Sequence, residues 1–386
     1  MQIPAEFEKM RSLEDNEVRG AVLTLLDDPE FTKILKKVVK GVPIWAHRLY
    51  TKRFRTVDSF QTGMIYPFLK RILKKATNGL TYDSEITPSD RQNWLYISNH
   101  RDIVLDSAFL DYILLTSKRH SVEIAIGNNL LIKPWIETLV RLNRSFIVNR
   151  SATAAELLES SKLLSAYIRF VIEQKQRPVW LAQREGRAKD SDDRTQKSVL
   201  KMLAMTGDEP SLSVKLQSLH LTPLTISYEY DPCDYLKAAE FQLKRDNPDY
   251  TKSRQDDLDN MKTGIFGQKG RIHYHFSAPI DQEIAALDES VPRNLFLDQV
   301  AAIIDRHIFK GYRIYPCNRI ALDMLHNDDS QAANYTPADK ESFQTYIDGQ
   351  LAKITIPNPD WDYLRECILT MYANPLINQL EALDKK

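Results

Sequence analysis

Two hydrophobic periods divide the chain. In FTKILKKVVK and MIYPFLKRILKKA, apolar residues recur every three or four positions and glycine is scarce, which predicts helices through residues 1–80. TNGLTYDSEITPSDRQN follows, dense in turn residues, and reads as a boundary. Beyond it stand short runs rich in β-branched and aromatic residues: WLYIS (94–98), VEIAI (122–126), SFIVN (145–149), PVWLAQ (178–183) and LTPLTISYEY (221–230). Helical patterns lie between them, such as AAELLESSKLLSAYIRFVIEQ with Leu157, Leu164, Ile168 and Val171 on one stripe. Strands alternating with helices predict an α/β fold with a mixed, largely parallel sheet flanked by helices. Burial on both faces explains why these strands are apolar almost throughout. The charged segment NPDYTKSRQDDLDNMKTG reads as mobile, and RIHYHFSAPI (271–280) as one further strand. About the last 55 residues look helical, with a break at ITIPNPDWD. The expected organisation is a helical, basic N-terminal region over 1–85, an α/β domain over 86–330 and a helical C-terminal segment over 331–386.

Composition narrows the class. With 386 residues, 43% hydrophobic and 27% charged, the chain can bury a large core and does not have the make-up of a disordered protein. Its three cysteines, Cys233, Cys317 and Cys367, are far apart, which argues against a disulfide framework or zinc site and fits a reducing compartment. MQIPAEFEKMRSLEDNE is too charged for a signal peptide, and no run approaches the roughly 18–20 apolar residues of a membrane span. The overall charge of zero hides an asymmetry. Between Lys33 and Lys75 stand 12 basic residues against one acid, Asp58, a net +11. Ile34, Leu35, Trp45, Tyr50, Phe54, Phe60, Tyr66 and Phe68 interleave with them, so this segment could meet an anionic membrane, nucleic acid or only water.

One loop carries the candidate chemistry. In YISNHRDIVLDSAFLDY, His100 leaves an apolar strand and enters a helix, with Asp102 and Asp106 just downstream. His100-Arg101-Asp102 spells the start of a kinase catalytic loop. Ser107 stands where that loop needs asparagine, however, and no glycine-rich loop or D-F-G exists. A histidine that merely precedes a helix capped by Asp102 is the plain structural alternative. The third reading is general base catalysis by a histidine at the carboxyl end of a strand, with a carboxylate on its other ring nitrogen.

NHRDIVLDSAFLDYILL resembles the first block of the glycerolipid acyltransferases, particularly the glycerol-3-phosphate acyltransferase branch, whose pattern is His-x-x-x-x-Asp. Here the aspartate comes one residue later, at Asp106, with Asp102 as the fallback. The shift is harmless only if the extra residue lies in the loop, because on a helix it would swing a side chain by about 100°. RSFIVNRS (144–151) resembles the second block, with Arg150 basic and Asn149 in place of its basic neighbour. LAQREGRAKDSDDR (181–194) resembles the Glu-Gly-x-Arg block shortened by one residue, with Glu185 or Arg184 at the glutamate position. LTPLTISYEY and GRIHYHFSAPI resemble later strands, and the resemblance spans roughly residues 90–320.

The resemblance implies a glycerol-3-phosphate acyltransferase-like fold and an O-acyltransferase of phospholipid biosynthesis. His100 and Asp106 would be catalytic; Arg150, Glu185, Gly186, Arg187 and Lys189 would bind substrate. The donor would be acyl-CoA or acyl-ACP, bound as co-substrate with no cofactor and no metal. The acceptor would be a phosphate-bearing glycerol, either glycerol-3-phosphate or a lysophosphatidate-like molecule. A membrane-soluble product favours an anionic membrane surface over nucleic acid as partner of the +11 segment and of NNLLIKPWIETLVRL (128–142), with acyl carrier protein a further partner. The expected location is cytoplasmic, peripheral on the inner face of the cell membrane. The alternatives are another lipid acceptor (a lysophospholipid or amino-acid lipid) and a non-catalytic membrane-binding protein on the same scaffold. Arg150 paired to a neighbouring acid, and Arg187 and Lys189 in a solvated network with Asp190, Asp192 and Asp193, are the plain alternatives for the basic residues. His273 and His275 share a strand face without a third metal ligand nearby in sequence.

Overall fold

A computed structural model of the chain describes residues 3–39, 41–86, 93–149 and 153–384. Seven strands form one sheet: β1 (Leu80–Ser84), β2 (Leu95–Ser98), β3 (Glu123–Gly127), β4 (Ser145–Val148), β5 (Val179–Ala182), β6 (Leu221–Tyr228) and β7 (Ile272–Phe276). Their order is β1-β7-β6-β2-β5-β3-β4, so β2 is the central strand. From β6 to β4 all neighbours are parallel; β7 runs antiparallel to β6, and β1 is parallel to β7. The expected mixed, largely parallel α/β sheet with flanking helices is what the chain forms.

Successive strand residues point to opposite faces, and both faces are covered. Trp94, Tyr96, Trp180, Leu224 and Tyr274 pack against the helices Tyr66–Ala76 and Leu105–Thr116. Leu95, Ile97, Val179 and Leu221 face the helices Ala154–Glu173, Lys197–Leu203 and Arg293–Lys310. A third cluster joins helix Asp234–Asp246 to the C-terminal helices Pro316–His326, Pro337–Leu351 and Trp361–Asp384. A fourth, around Val18, Leu25, Phe54 and Phe60, ties the N-terminal helices to Leu142.

Three segments differ from the sequence reading. Residues 80–84 read as turn but form strand β1, because β7 offers an open edge for Leu80 to Ser84 to pair along. The segment read as mobile contains the helix Arg254–Phe266, started by a capping box in which Ser253 and Asp256 satisfy each other's backbone N–H groups. On helix Ala154–Glu173, Leu164, Ile168 and Val171 are buried as expected, whereas Leu157 is 53% exposed.

Candidate active site

The parallel strands β6, β2, β5, β3 and β4 end on one edge of the sheet, and His100 leaves it just after the central strand. Residues 99–104 turn back before the helix begins at Leu105, so the extra residue before Asp106 is absorbed in the loop. Asp106, in the first helical turn, is fully buried, and its Oδ2 lies 2.8 Å from His100 Nδ1. The same oxygen accepts the backbone N–H of Arg101 at 2.6 Å and of Asp102 at 3.0 Å. With Nδ1 donating to Asp106, the other ring nitrogen, Nε2, is left as the basic one. Trp180 on β5 meets the imidazole edge-on, with ring centroids 5.6 Å apart, and Tyr274 on β7 donates to the Asp106 carbonyl at 2.8 Å.

Asp102 has separate work. Its Oδ1 receives the N–H groups of Val104 and Leu105 at 2.9 and 2.8 Å, an Asx turn at the helix entrance. Burial pushes its carboxyl above the usual range, and neighbouring Asp106 adds to the rise. Arg101 turns inward, its Nη2 2.6 Å from Asp193 Oδ2, and Tyr312 also donates to Asp193 at 2.6 Å. Asp193 is fully buried, not part of a solvated network, and its pairing locks the histidine loop to the loop after β5.

His100 opens on a cavity of about 720 Å³, lined mainly by apolar side chains including Phe68, Ala108, Ile126, Leu139, Leu181 and Met202. Arg184, Glu185 and Gly186 line it as well. Gly186 has φ +69°, a conformation that costs a residue with a Cβ, while no atom would crowd a Cβ there. Arg187 and Lys189 do not line the cavity: Arg187 Nη2 donates to Asn260 at 3.1 Å, and Lys189 is paired with Glu240. Burial pulls the Lys189 ammonium down to about 8, against the opposing pull of Glu240. Arg150 falls outside the described residues.

Two further polar groups emerge only in three dimensions. Asp111 lines the cavity from helix Leu105–Thr116 and accepts the Val122 N–H at 2.8 Å; burial raises its carboxyl to about 7. Asp83 on β1 sits between both strand imidazoles, 3.2 Å from His273 Nε2 and 2.5 Å from His275 Nδ1. Among the described residues no group of three or more His, Cys, Asp and Glu is placed to hold a metal ion.

Residues 80–215 match the Acyltransferase family model. The matched stretch runs from β1 to helix Leu212–Gln217 and contains His100, Asp106 and the loop 183–189. It supports an acyltransferase reading of this part of the chain and leaves acceptor and donor open. Among solved structures, the 1-acyl-sn-glycerophosphate (LPA) acyltransferase PlsC from Thermotoga maritima is similar at 12% identity, covering 76% of this chain and 94% of that one, with a TM-score of 0.32. No curated protein matches the chain.

Proposed function

We propose that the protein transfers a fatty acyl group from a coenzyme A or acyl carrier protein thioester to a hydroxyl of a phosphate-bearing glycerol, as in glycerol-3-phosphate or a lysophosphatidate-like acceptor. The observation that carries this is the His100–Asp106 pair, 2.8 Å apart, at the rim of an apolar cavity roomy enough for an acyl chain. The acceptor hydroxyl, whose pKa is far above 7, loses its proton to His100 Nε2 as its oxygen attacks the thioester carbonyl carbon. Asp106 stabilises the resulting imidazolium. The carbon–sulfur bond then breaks, and the leaving thiolate takes the proton back. Of the loop after β5, Glu185 and Gly186 line the cavity and belong to the substrate-binding edge, whereas Arg187 and Lys189 are engaged by Asn260 and Glu240.

The test is thiol release from acyl-CoA and acyl-ACP with and without glycerol-3-phosphate. Release should depend on acceptor, and His100→Ala should lower it by about 10²–10⁴-fold, the usual contribution of a positioned base. A variant with full activity removes the mechanism.

The same reading places the protein on the cytoplasmic face of a membrane. Trp45 is 69% and Leu49 60% exposed, and Ile34, Val42 and Tyr50 are exposed as well. Lys33, Lys36, Lys37, Lys52, Arg53 and Arg55 are exposed in the same segment, Arg53 over the Tyr50 ring. Exposed apolar side chains interleaved in sequence with exposed cations suit an anionic lipid surface, where each cation contributes about 1 kcal/mol. No helix among the described residues is long and apolar enough to cross a membrane.

A further inference from the structure

We propose that Arg184 is the phosphate-holding residue of the cavity, taking a phosphate ester a side chain's reach from His100. This deepens the acyl-transfer reading and rests on it for the identity of the ester.

Register places the two side chains together. Ser98 of β2 pairs with Ala182 of β5, and the ladder continues as the Gln183 N–H donates to the Ser98 carbonyl at 2.8 Å. His100 and Arg184 each come two residues after that pair. Both therefore stand just past the carboxyl ends of neighbouring strands, which run about 4.8 Å apart. Both line the cavity.

Arg184 is also uncommitted. Among the described residues its guanidinium makes no hydrogen bond or ion pair, and its Nε is buried without a partner. Asp193, the buried acid whose carboxyl feels Arg184's charge, already holds Arg101 and Tyr312. Arg187 and Lys189 are engaged by Asn260 and Glu240. An arginine that lines a largely apolar cavity with no ion-pair partner of its own carries an unfavourable charge, and an incoming anion offsets it. Phosphate fits best, because the planar guanidinium bonds two of its oxygens at once. A glycerol-phosphate acceptor carries its hydroxyl and its phosphate one glycerol apart, and His100 and Arg184 line the same cavity. A donor carrying phosphate offers the same chemistry.

Calorimetric titration of the full chain with inorganic phosphate, glycerol-3-phosphate, coenzyme A and uncharged glycerol tests this without any turnover. Arg184→Gln should weaken phosphate and at least one ester by roughly 10–100-fold, the range for a hydrogen bond to a charged group. Arg184→Lys should recover part of the loss. The unliganded melting temperature of Arg184→Gln should equal or exceed that of the wild type, because no native partner is lost. A loss confined to glycerol-3-phosphate assigns the phosphate to the acceptor, and one confined to coenzyme A assigns it to the donor. Unchanged binding in Arg184→Gln, wild-type binding of none of the three anions, or a lowered unliganded melting temperature overturns the proposal. If phosphate binding depends on Arg184 while the wild type shows no acceptor-dependent thiol release, the transfer reading fails and the anion site stands.

Discussion

Asp106 gathers a ring N–H and two backbone N–H groups on a single oxygen, which fixes both the imidazole's orientation and the course of the loop around it. Asp111, one helical turn and a residue further on, is the contrasting acid. Its carboxyl is raised to about 7, well above the ordinary carboxyl value near 4. Between those values the folded chain keeps a proton that the unfolded chain has released. Its contribution to stability therefore falls as pH rises from about 4 to about 7 and is level above that. Asp111→Asn removes this slope while keeping an acceptor for Val122. Relative to wild type, the variant should gain on the order of 4 kcal/mol across that window. Parallel curves of melting temperature against pH for the two proteins would show that Asp111 does not titrate there. His100 was legible at the end of an apolar strand, and the resemblance to the acyltransferase block favoured Asp106 over Asp102 as its partner. Arg101–Asp193 was not, because a contact across some 90 residues leaves no local periodic trace. Arg184 was visible only as an ambiguity in the shortened Glu-Gly-Arg block; counting two residues past the end of each strand would have singled it out.

Helix Arg254–Phe266 shows how an element can be missed when its periodicity is weak. Charged residues occupy much of its surface, yet buried Gly264 lets it approach the histidine loop closely, and a Cβ there would lie 2.4 Å from Asp102 Oδ2. On an exposed helix, glycine to alanine stabilises by up to about 1 kcal/mol. Here the clash with a buried carboxylate outweighs that gain. Gly264→Ala should cost about 1–3 kcal/mol, the range for overpacking, and lower the melting temperature. A rise instead would mean that the helix has room to shift. Strand β1 was hidden for a different reason. TNGLTYDS is rich in turn formers, and only the open edge of β7 makes pairing more favourable than a turn. Leu157 keeps its helical phase but lies at the cavity, so amphipathic spacing alone could not separate core from ligand space.

At the scale of the molecule, the proposed transfer would tie the cavity to the exposed N-terminal helices, because a membrane-soluble chain must reach His100, whose side chain is only 13% exposed. Gln61, Ile65 and Phe68 of the N-terminal region line the cavity, so that region builds part of the site. Binding to vesicles containing anionic phospholipid should be strong at low salt and fall as salt screens the basic residues. Trp45→Ala with Leu49→Ala should weaken it at every salt concentration, whereas binding indifferent to both would exclude this face. The order of apolar and polar residues by itself determined the helical termini, the strands β2 to β7 and the histidine between β2 and its helix. Those features arise from backbone periodicity, which acts between near neighbours in the chain. Only the tertiary structure decided which charges would be spent on one another, Arg101 on Asp193 and Lys189 on Glu240, and which would remain facing the cavity. Ion pairing depends on distance in space, and strands far apart in sequence meet at one edge only after the sheet has formed.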